Sequence, residues 1–267
     1  MDAAGLAKLT QSPHGFTFLL TFAVLAGSTF LTVLEVLYVK PNGLNPTSSN
    51  LVTALMLETG VNAEAGYFYY LFLQLVAGKQ FETVAASIQS LRTVDWLITT
   101  PLMLSSLMFY YMYNKPDECT GENQSCLVET LTTPDERYPY DPLWIILLNV
   151  GMIVVGSSWW SEGSSMASLW GRFATSSAFF AGLAFLMYRS FYKPSRSVYK
   201  TEMTWFFFGS WALYPLVRGL VIQKAAPAAV TDSMYNVLDM ISKGGFGILI
   251  WLILQTLQNK CDSQCNI

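Results

Sequence analysis

The stretch MYNVLDMISKGGFGILIWLILQTL, residues 234–257, decides the fold, because it is apolar over the length of a membrane span and yet carries a lysine at its centre. Asp239 precedes Lys243 by four residues, which places both side chains on one face of a helix. A charged lysine in the middle of a spanning helix costs about 2.5–3.5 kcal/mol on insertion scales. Lys243 therefore needs a charged partner or a chemical role.

The composition of the whole chain agrees with a membrane setting. Of 267 residues, 52% are hydrophobic and 12% are charged, whereas a soluble domain carries about 25% charged residues. The net charge of -3 does not favour a nucleic-acid partner. The N-terminal residues lack the pattern of a cleavable signal peptide, so we expect the first apolar run to remain as a spanning helix. We predict an integral, multi-pass protein of the lipid bilayer.

Seven apolar runs predict an all-α fold, a bundle of seven transmembrane helices that forms one domain over residues 1–267. The first run is closed by Lys40-Pro41-Asn42-Gly43, a strong helix breaker. A polar loop separates the third run from the fourth. The predicted helices span residues 16–39, 50–78, 81–113, 142–160, 168–192, 201–221 and 231–259.

The distribution of lysine and arginine predicts the orientation of the bundle. With the N-terminus outside, eight of these cations fall on the inner side and four on the outer side. Positive charge is enriched in cytoplasmic loops. We therefore predict an outer N-terminus and a cytoplasmic C-terminus. The segment RSFYKPSRSVYK, between the fifth and sixth helices, carries most of this asymmetry.

Four ionisable residues fall deep inside the predicted helices. Arg92 and Asp95 share one face of the third helix, as Asp239 and Lys243 share one face of the seventh. Two carboxylates facing two cations would make a neutral cluster, and a purely structural ion-pair cluster is one interpretation. Apolar packing would join two helices at a lower cost than buried ions. This difference favours a functional role.

A lysine amine in a dry pocket can attack a carbonyl carbon, and the resulting Schiff base is a cation that needs a counter-ion. Asp95 and Asp239 would supply that negative charge. Aromatic and rigid side chains on the third and sixth helices suit a flat apolar ligand, although such residues are often ordinary packing. They are Trp96, Trp211, Tyr214 and Pro215.

Three segments together resemble the signature segments of the microbial (type 1) rhodopsins. They are RTVDWLITTPLM in the third helix, WALYP in the sixth and LDMISKGGFG in the seventh. The resemblance extends over the seven-helix core, about residues 16–259. An Asp-x-x-x-Lys pair alone would be weak, but the helix 3 and helix 7 segments in combination are specific.

The resemblance implies a role for each matching residue. Lys243 would carry all-trans retinal as a protonated Schiff base, with Asp95 as primary counter-ion and proton acceptor. Asp239 would be the second counter-ion, Arg92 would complete the cluster on the outer side, and Thr99 would hydrogen-bond near Asp95. The retinal slot would be lined by Trp96, Thr100, Met103, Trp211, Tyr214 and Pro215. The apolar Met103 resembles the residue of green-absorbing members.

In the family, a three-letter motif in the third helix sorts function, and here Asp95, Thr99 and Ser106 give D-T-S. This motif resembles that of viral and algal members, some of which pump protons outward. A serine hydroxyl cannot act as the carboxyl donor usual at the third position. The donor would then be water or Glu58 in the second helix. For Glu58, a place at the lipid interface or facing the cytoplasm is the favoured interpretation.

Two other functions stay open. A light-gated ion channel would line its pore with carboxylates, and Glu58 and Glu64 superficially resemble that arrangement. A photosensor would keep the retinal chemistry and signal through a partner. The pair of Asp95 and Thr99, together with Asp239, favours the outward proton pump. Homo-oligomer formation is also expected.

Several remaining residues receive structural interpretations. His14, the only histidine, is expected to be a solvated terminal residue, and Asp232 a solvated loop carboxylate. No proton-release group is assigned. Ser176 stands where many relatives place a pocket tryptophan, and Arg218 where an aromatic residue is common.

The four cysteines are expected to be reduced thiols on the inner side of the membrane, because cytosolic thiols are normally reduced. Their spacings, CTGENQSC and CDSQC, are not those of typical zinc-binding pairs. No metal site is predicted.

Overall fold

The computed structural model describes residues 9–39, 46–77, 79–112, 140–157 and 164–265. Several predictions fall outside these ranges. Cys119 and Cys126 belong to the undescribed part of the loop between the third and fourth helices, and the predicted helix ends at residues 78, 113 and 160 are also outside.

The described residues form seven helices and no strand. The fifth helix continues into a π-helical turn, Tyr188–Tyr192, and the seventh contains one, Met240–Gly245, between two α-helical halves. The helices are α1 (Pro13–Val39), α2 (Pro46–Val76), α3 (Phe81–Met112), α4 (Asp141–Gly156), α5 (Met166–Met187, then Tyr188–Tyr192), α6 (Lys200–Gln223) and α7 (Ala228–Asp239, Met240–Gly245, Phe246–Cys265). The predicted all-α, seven-helix architecture is therefore confirmed.

Several helices begin or end a few residues away from the predicted positions. α1 begins at Pro13 and α2 at Pro46, ahead of the predicted residues 16 and 50, because proline is well suited to the first turn of a helix. α4 ends at Gly156, before the predicted residue 160. α7 continues to Cys265 instead of residue 259.

The helices pack as a closed ring in chain order. Each helix contacts the next one, from α1 to α7, and α7 returns to α1. α7 also contacts α2 and α3, which brings the middle of its length to the centre of the bundle. Large apolar side chains point away from the bundle, where a lipid bilayer would cover them. Examples are Phe30, Leu37, Trp205 and Leu216.

By length and composition alone, three of the described helices are apolar enough to cross a membrane: Pro13–Leu37, Lys200–Gln223 and Ala228–Thr256. α3 is long but carries buried polar groups along its inner face, among them Arg92, Asp95, Thr99 and Ser106. In a bundle, such groups face the interior and mark functional sites.

The glycines after Lys243 allow α7 to lie close to its neighbours. A Cβ on Gly244 would be 3.0 Å from Val24 Cγ1 on α1, and one on Gly247 would be 2.7 Å from Asn62 Nδ2 on α2. The π-helical turn falls at the lysine itself, a kind of irregularity that is frequent at functional sites. The fold thus places Lys243 at the point where α1, α2, α3 and α7 come together.

Candidate functional site

The Lys243 side chain is buried and paired with a carboxylate from α3. Its Nζ donates to Asp95 Oδ2 at 2.6 Å and lies 3.9 Å from Asp239 Oδ1. Arg92 Nε lies 4.0 Å from Asp239 Oδ2. The structure therefore brings together the four charged residues that the sequence picked out. All four have side chains that are almost completely inaccessible to solvent.

The two carboxylates have different surroundings. Asp239 accepts hydrogen bonds from Tyr214 Oη at 2.7 Å, Trp96 Nε1 at 3.1 Å and Tyr69 Oη at 2.9 Å. Asp95 Oδ2 accepts from Lys243, whereas Asp95 Oδ1 has no hydrogen-bond partner among the described residues. Asp239 is held in place by three donors, while Asp95 keeps one oxygen available.

Arg92 connects this cluster to a third carboxylate. Its Nη1 donates to Asp232 Oδ1 at 2.5 Å, and its Nη2 donates to Asn236 Oδ1 at 2.5 Å. The guanidinium also lies 5.4 Å from the ring centre of Phe72 and 5.6 Å from that of Tyr235. These contacts fix Arg92 on the side of the site nearest the start of α1.

The predictions for Asp232 and His14 are wrong. Asp232 belongs to α7, its side chain is 1% exposed, and it pairs with Arg92. His14 belongs to α1, and its Nε2 lies 3.0 Å from Asp232 Oδ2. Gln89 Nε2 donates to the other oxygen, Oδ1, at 3.1 Å. The two residues were predicted to be solvated because each lies near a helix end, but the helices place those ends against each other.

A cavity extends from Lys243 between the helices, with about 1150 Å³ of empty space when its part open to the surroundings is included. All the residues that the sequence predicted for the retinal slot lie on its wall: Trp96, Thr100, Met103, Trp211, Tyr214 and Pro215. Trp211 stacks on Phe207 with ring centres 4.6 Å apart. Thr100 Oγ1 donates to Asn149 Oδ1 at 2.8 Å, which ties α3 to α4. The cavity is therefore largely apolar and aromatic, with the lysine at its inner end.

The two departures from the family pattern also lie on this cavity. Ser176 and Arg218 line it, together with Arg172. Ser176 Oγ donates to the backbone oxygen of Met152 at 2.9 Å, and a Cβ on Gly156 would be 2.8 Å from the same Oγ. A small side chain at Ser176 thus leaves space that a tryptophan would fill.

The threonine and serine of the D-T-S motif bond to backbone oxygens. Thr99 Oγ1 donates to the backbone oxygen of Asp95 at 2.8 Å, not to its carboxylate. Ser106 Oγ donates to the backbone oxygen of Ala54 on α2 at 3.0 Å. Both side chains are fully buried. Ser106 therefore joins α3 to α2 at the level of Glu58.

The favoured interpretation of Glu58, as a residue at the lipid interface or facing the cytoplasm, is wrong. Glu58 is fully buried, and neither carboxyl oxygen has a hydrogen-bond partner among the described residues. The Ser106 hydroxyl on α3 is adjacent to the Glu58 carboxyl group. A Cβ on Gly247, one helical turn beyond Lys243, would lie 3.7 Å from Glu58 Cβ. Glu58 thus lies on the opposite side of Lys243 from Arg92.

Sequence reasoning missed two residues that complete the cluster, Tyr69 and Asn236. Tyr69 Oη contacts both Asn236 Oδ1, at 3.2 Å, and Asp239. A signal was present for Asn236, because Asp232, Asn236, Asp239 and Lys243 follow a four-three-four spacing that places them on one helix face. Tyr69 had no such signal, since it lies in the aromatic run YFYY.

The comparison with known proteins gives consistent results. The family model described as "Bacteriorhodopsin-like protein" matches residues 14–257. The green-light absorbing proteorhodopsin of Gamma-proteobacterium EBAC31A08 is 25% identical over 261 residues, which cover 93% of this chain and 90% of that protein.

Two solved structures show the same fold. The viral rhodopsin OLPVRII has a TM-score of 0.67 at 23% identity, covering 91% of this chain and 97% of its own. The proton pumping rhodopsin AR2 from the marine alga Acetabularia acetabulum has a TM-score of 0.65 at 17% identity, covering 93% and 97%. The chain is an integral, multi-pass membrane protein, and it belongs to the bacteriorhodopsin-like family, the microbial rhodopsins.

Proposed function

We propose that this protein is a light-driven outward proton pump that binds all-trans retinal covalently through Lys243. The observation that carries the proposal is the 2.6 Å contact between Lys243 Nζ and Asp95 Oδ2 at the inner end of the cavity. The similarity to a proteorhodopsin, and to a structure described as a proton pumping rhodopsin, supports a transport function. The protein would be a transporter, not an enzyme.

The site fits an elongated apolar molecule with one end bonded to the lysine. Trp211 and Trp96 supply flat apolar walls, and Tyr214 closes the wall near the lysine. When bound, retinal would supply the light-driven isomerisation that displaces the proton held at the lysine nitrogen.

Asp95 is the proposed proton acceptor. Its Oδ2 is the nearest carboxylate oxygen to Lys243 Nζ, and its Oδ1 can take a further hydrogen bond or a proton. Asp239 already accepts hydrogen bonds from three donors and lies farther away, at 3.9 Å. We therefore assign acceptance of the proton to Asp95, and the role of a fixed negative charge beside the lysine to Asp239.

Glu58 is the proposed donor that returns a proton to the lysine nitrogen. An ionised carboxylate without partners is costly in a dry interior, so we expect Glu58 to hold its proton in the resting protein. Ser106, beside it, would orient the carboxyl group. Glu58 is buried, and its Cβ would be 3.7 Å from a Cβ on Gly247, one helical turn beyond Lys243; this supports the assignment over direct protonation by water.

The proposed direction of transport follows from the two sides of the lysine. Arg92, Asp232 and His14 lead from the site toward the start of α1, and Glu58 lies toward the other end. The excess of lysine and arginine in the opposite loops supports placing the start of α1 outside the cell. A proton would then leave past Arg92 and enter past Glu58.

The decisive experiment is to express the protein with retinal in cells and to record external pH under light, with and without a protonophore. Acidification that the protonophore abolishes supports the pump. A passive current that reverses with voltage would indicate a light-gated channel instead. A coloured protein that gives neither signal would indicate a photosensor.

A pair of variants tests the attachment of retinal independently of transport. Lys243→Ala should stay colourless, because no amine remains at the end of the cavity. Lys79→Ala removes an exposed lysine from the α2–α3 connection and should keep the wild-type colour. A coloured Lys243→Ala protein would refute covalent attachment at this residue. The predicted homo-oligomer stays a prediction, which light scattering of the purified protein can check.

A further inference from the structure

The only histidine of the chain is built into the charged network of the site. His14 lies in the first turn of α1, and its side chain is 15% exposed. Its Nε2 is 3.0 Å from Asp232 Oδ2, and Asp232 is 1% exposed. The imidazole ring packs edge-on against Phe18 and Phe81, with ring centres 5.0 and 4.2 Å away. His14 is therefore held in one position between α1, α3 and α7.

A series of close polar contacts joins the lysine site to this histidine. Tyr69 Oη bonds to Asp239 and to Asn236 at 2.9 and 3.2 Å. Arg92 donates to Asn236 Oδ1 and to Asp232 Oδ1, each at 2.5 Å. Asp232 then contacts His14. Because the series begins at a fully buried carboxylate and ends at a partly exposed ring, it connects the site with the solvent at the start of α1.

The charges along this series respond to events at the lysine. Arg92 lies one helical turn from Asp95, on the same face of α3. A proton that moves from Lys243 Nζ to Asp95 Oδ2 carries positive charge toward Arg92. Arg92 in turn contacts Asp232, the carboxylate that faces His14. Added positive charge at this end of the site repels a positively charged, protonated imidazole. In a low-dielectric interior this repulsion is only weakly screened.

We propose that His14 and Asp232 form the proton-exit pair of the pump. His14 holds a proton against Asp232 in the resting protein and releases it to the outer solvent after Asp95 has been protonated. Later in the cycle, Asp95 gives up its proton and the imidazole takes one up, which restores the resting state. Arg92 stays protonated throughout and couples the two groups only through its charge. One proton thus leaves per cycle, and none is created or lost. The assignment rests on the proposed pump function.

A purely structural role for His14 makes a different prediction. In that case the ring would only anchor the start of α1 to α7, and its protonation would not change during the photocycle. Because His14 is the sole histidine, a protein with ¹⁵N-labelled histidine and no histidine tag carries its label at one position. Any label-sensitive band in a light-minus-dark infrared difference spectrum therefore reports on His14.

The test combines this label with the timing of proton release. In the wild-type protein, we expect the imidazole bands to shift as a pH-indicator dye detects the released proton, before the lysine nitrogen regains its own. His14→Gln keeps a hydrogen-bond donor toward Asp232 but removes the titratable ring. Its proton release should be delayed, at least tenfold, until Asp95 gives up its proton late in the cycle. Protonation of Asp95 itself should remain.

Thr17→Val is the matched control. Thr17 lies on the same helix and accepts a hydrogen bond from Asn236 Nδ2 at 2.9 Å, so the variant weakens the same helix contact without removing a titratable group. Its release should keep the wild-type timing. Three results would each overturn the exit pair while leaving the pump in place. They are an equal delay of proton release in both variants, prompt proton release in His14→Gln, and imidazole infrared bands that do not shift in the wild type. Absence of acidification by the wild type would overturn both proposals.

Discussion

The substitution Glu58→Gln tests the donor side of the proposed pump. Glutamine keeps the size and shape of the glutamate side chain and removes only the transferable proton. Glu58 is fully buried, and no described residue forms a hydrogen bond with its carboxyl oxygens. The change therefore breaks no ion pair and leaves the adjacent Ser106 hydroxyl on the backbone oxygen of Ala54, so a slower photocycle would report on proton transfer, not on a collapsed site.

The expected effect follows from what a positioned acid contributes. General acid–base catalysis by a placed side chain is worth about 10²–10⁴-fold in rate. Glu58 packs beside Gly247, which lies one helical turn from Lys243 on α7, and water entering from the solvent can replace it only in part. We therefore expect reprotonation of the lysine nitrogen to slow by about 100-fold, the lower end of that range.

The dependence on pH gives a sharper criterion. While Glu58 holds its proton, the wild-type reprotonation rate should be independent of the pH on the donor side. In Glu58→Gln the proton must come from the bulk, so the rate should follow the bulk proton concentration. It should fall about tenfold for each pH unit of increase, the factor by which the proton concentration itself falls.

Flash photolysis of the protein in nanodiscs measures this rate, through the decay of the absorbance of the state in which the lysine nitrogen is deprotonated. Glu64→Gln is the matched control, since Glu64 lies on the same helix and is only partly buried. It should decay as the wild type does. An unchanged decay in Glu58→Gln, or equal slowing in both variants, would refute the role of Glu58 as donor.

Three further changes test other parts of the site. Asp95→Asn should abolish light-driven acidification and shift the absorption maximum to longer wavelength, because the negative charge beside the lysine nitrogen is lost; a wild-type spectrum would contradict the counter-ion role. Gly247→Ala places a Cβ 2.7 Å from Asn62 Nδ2, and overpacking of this kind costs about 1–3 kcal/mol; thermal bleaching should occur at a lower temperature than in the wild type. Asp232→Asn leaves the buried Arg92 without its closest carboxylate, and such a loss typically costs about 3–5 kcal/mol; thermal bleaching as in the wild type would show that Arg92 does not need this partner.

The sequence was sufficient to predict the helices and the centre of the site. Long apolar runs separated by strong breakers define spanning helices, whatever the details of packing. Lys243 and Asp95 stood out because charged residues are rare at such depth. Their spacing from Asp239 and Arg92 then fixed the helix faces on which the four residues lie. No tertiary information was needed for these steps.

The inner face of the second helix could not be predicted from the sequence. Glu58 and Asn62 are fully buried, whereas Glu64 is partly exposed. All three lie in the polar segment LETGVNAEAG, in which no regular apolar spacing marks the inner face. The register of α2 depends on its packing against α3 and α7, which a single sequence does not contain. The burial of Glu58 could therefore be found only from the structure.

The predictions that His14 and Asp232 are solvated were wrong for a different reason. They are 218 positions apart in the chain and lie near the ends of two different helices. A carboxylate or an imidazole near a helix end is usually solvated, so the local sequence favoured that interpretation for each. The contact becomes visible only when the ring of helices closes and brings the start of α1 against α7. The pairing of Arg92 with Asp232 was missed for the same reason.

The surroundings of Lys243 differ on its two sides, and this difference gives a physical basis for one-way transport. Toward the start of α1, charged and hydrogen-bonding groups continue without interruption from Asp239 to the partly exposed His14. Toward the other end, Glu58 is fully buried on α2, where neighbours in the chain such as Leu55 belong to an apolar cluster with Leu107 and Ile250. A free charge is costly in that dry region, so a proton can cross it only on a neutral carrier such as a protonated carboxyl group. A displaced proton therefore has a polar route on one side and a barrier on the other, and Glu58 is placed to supply its replacement.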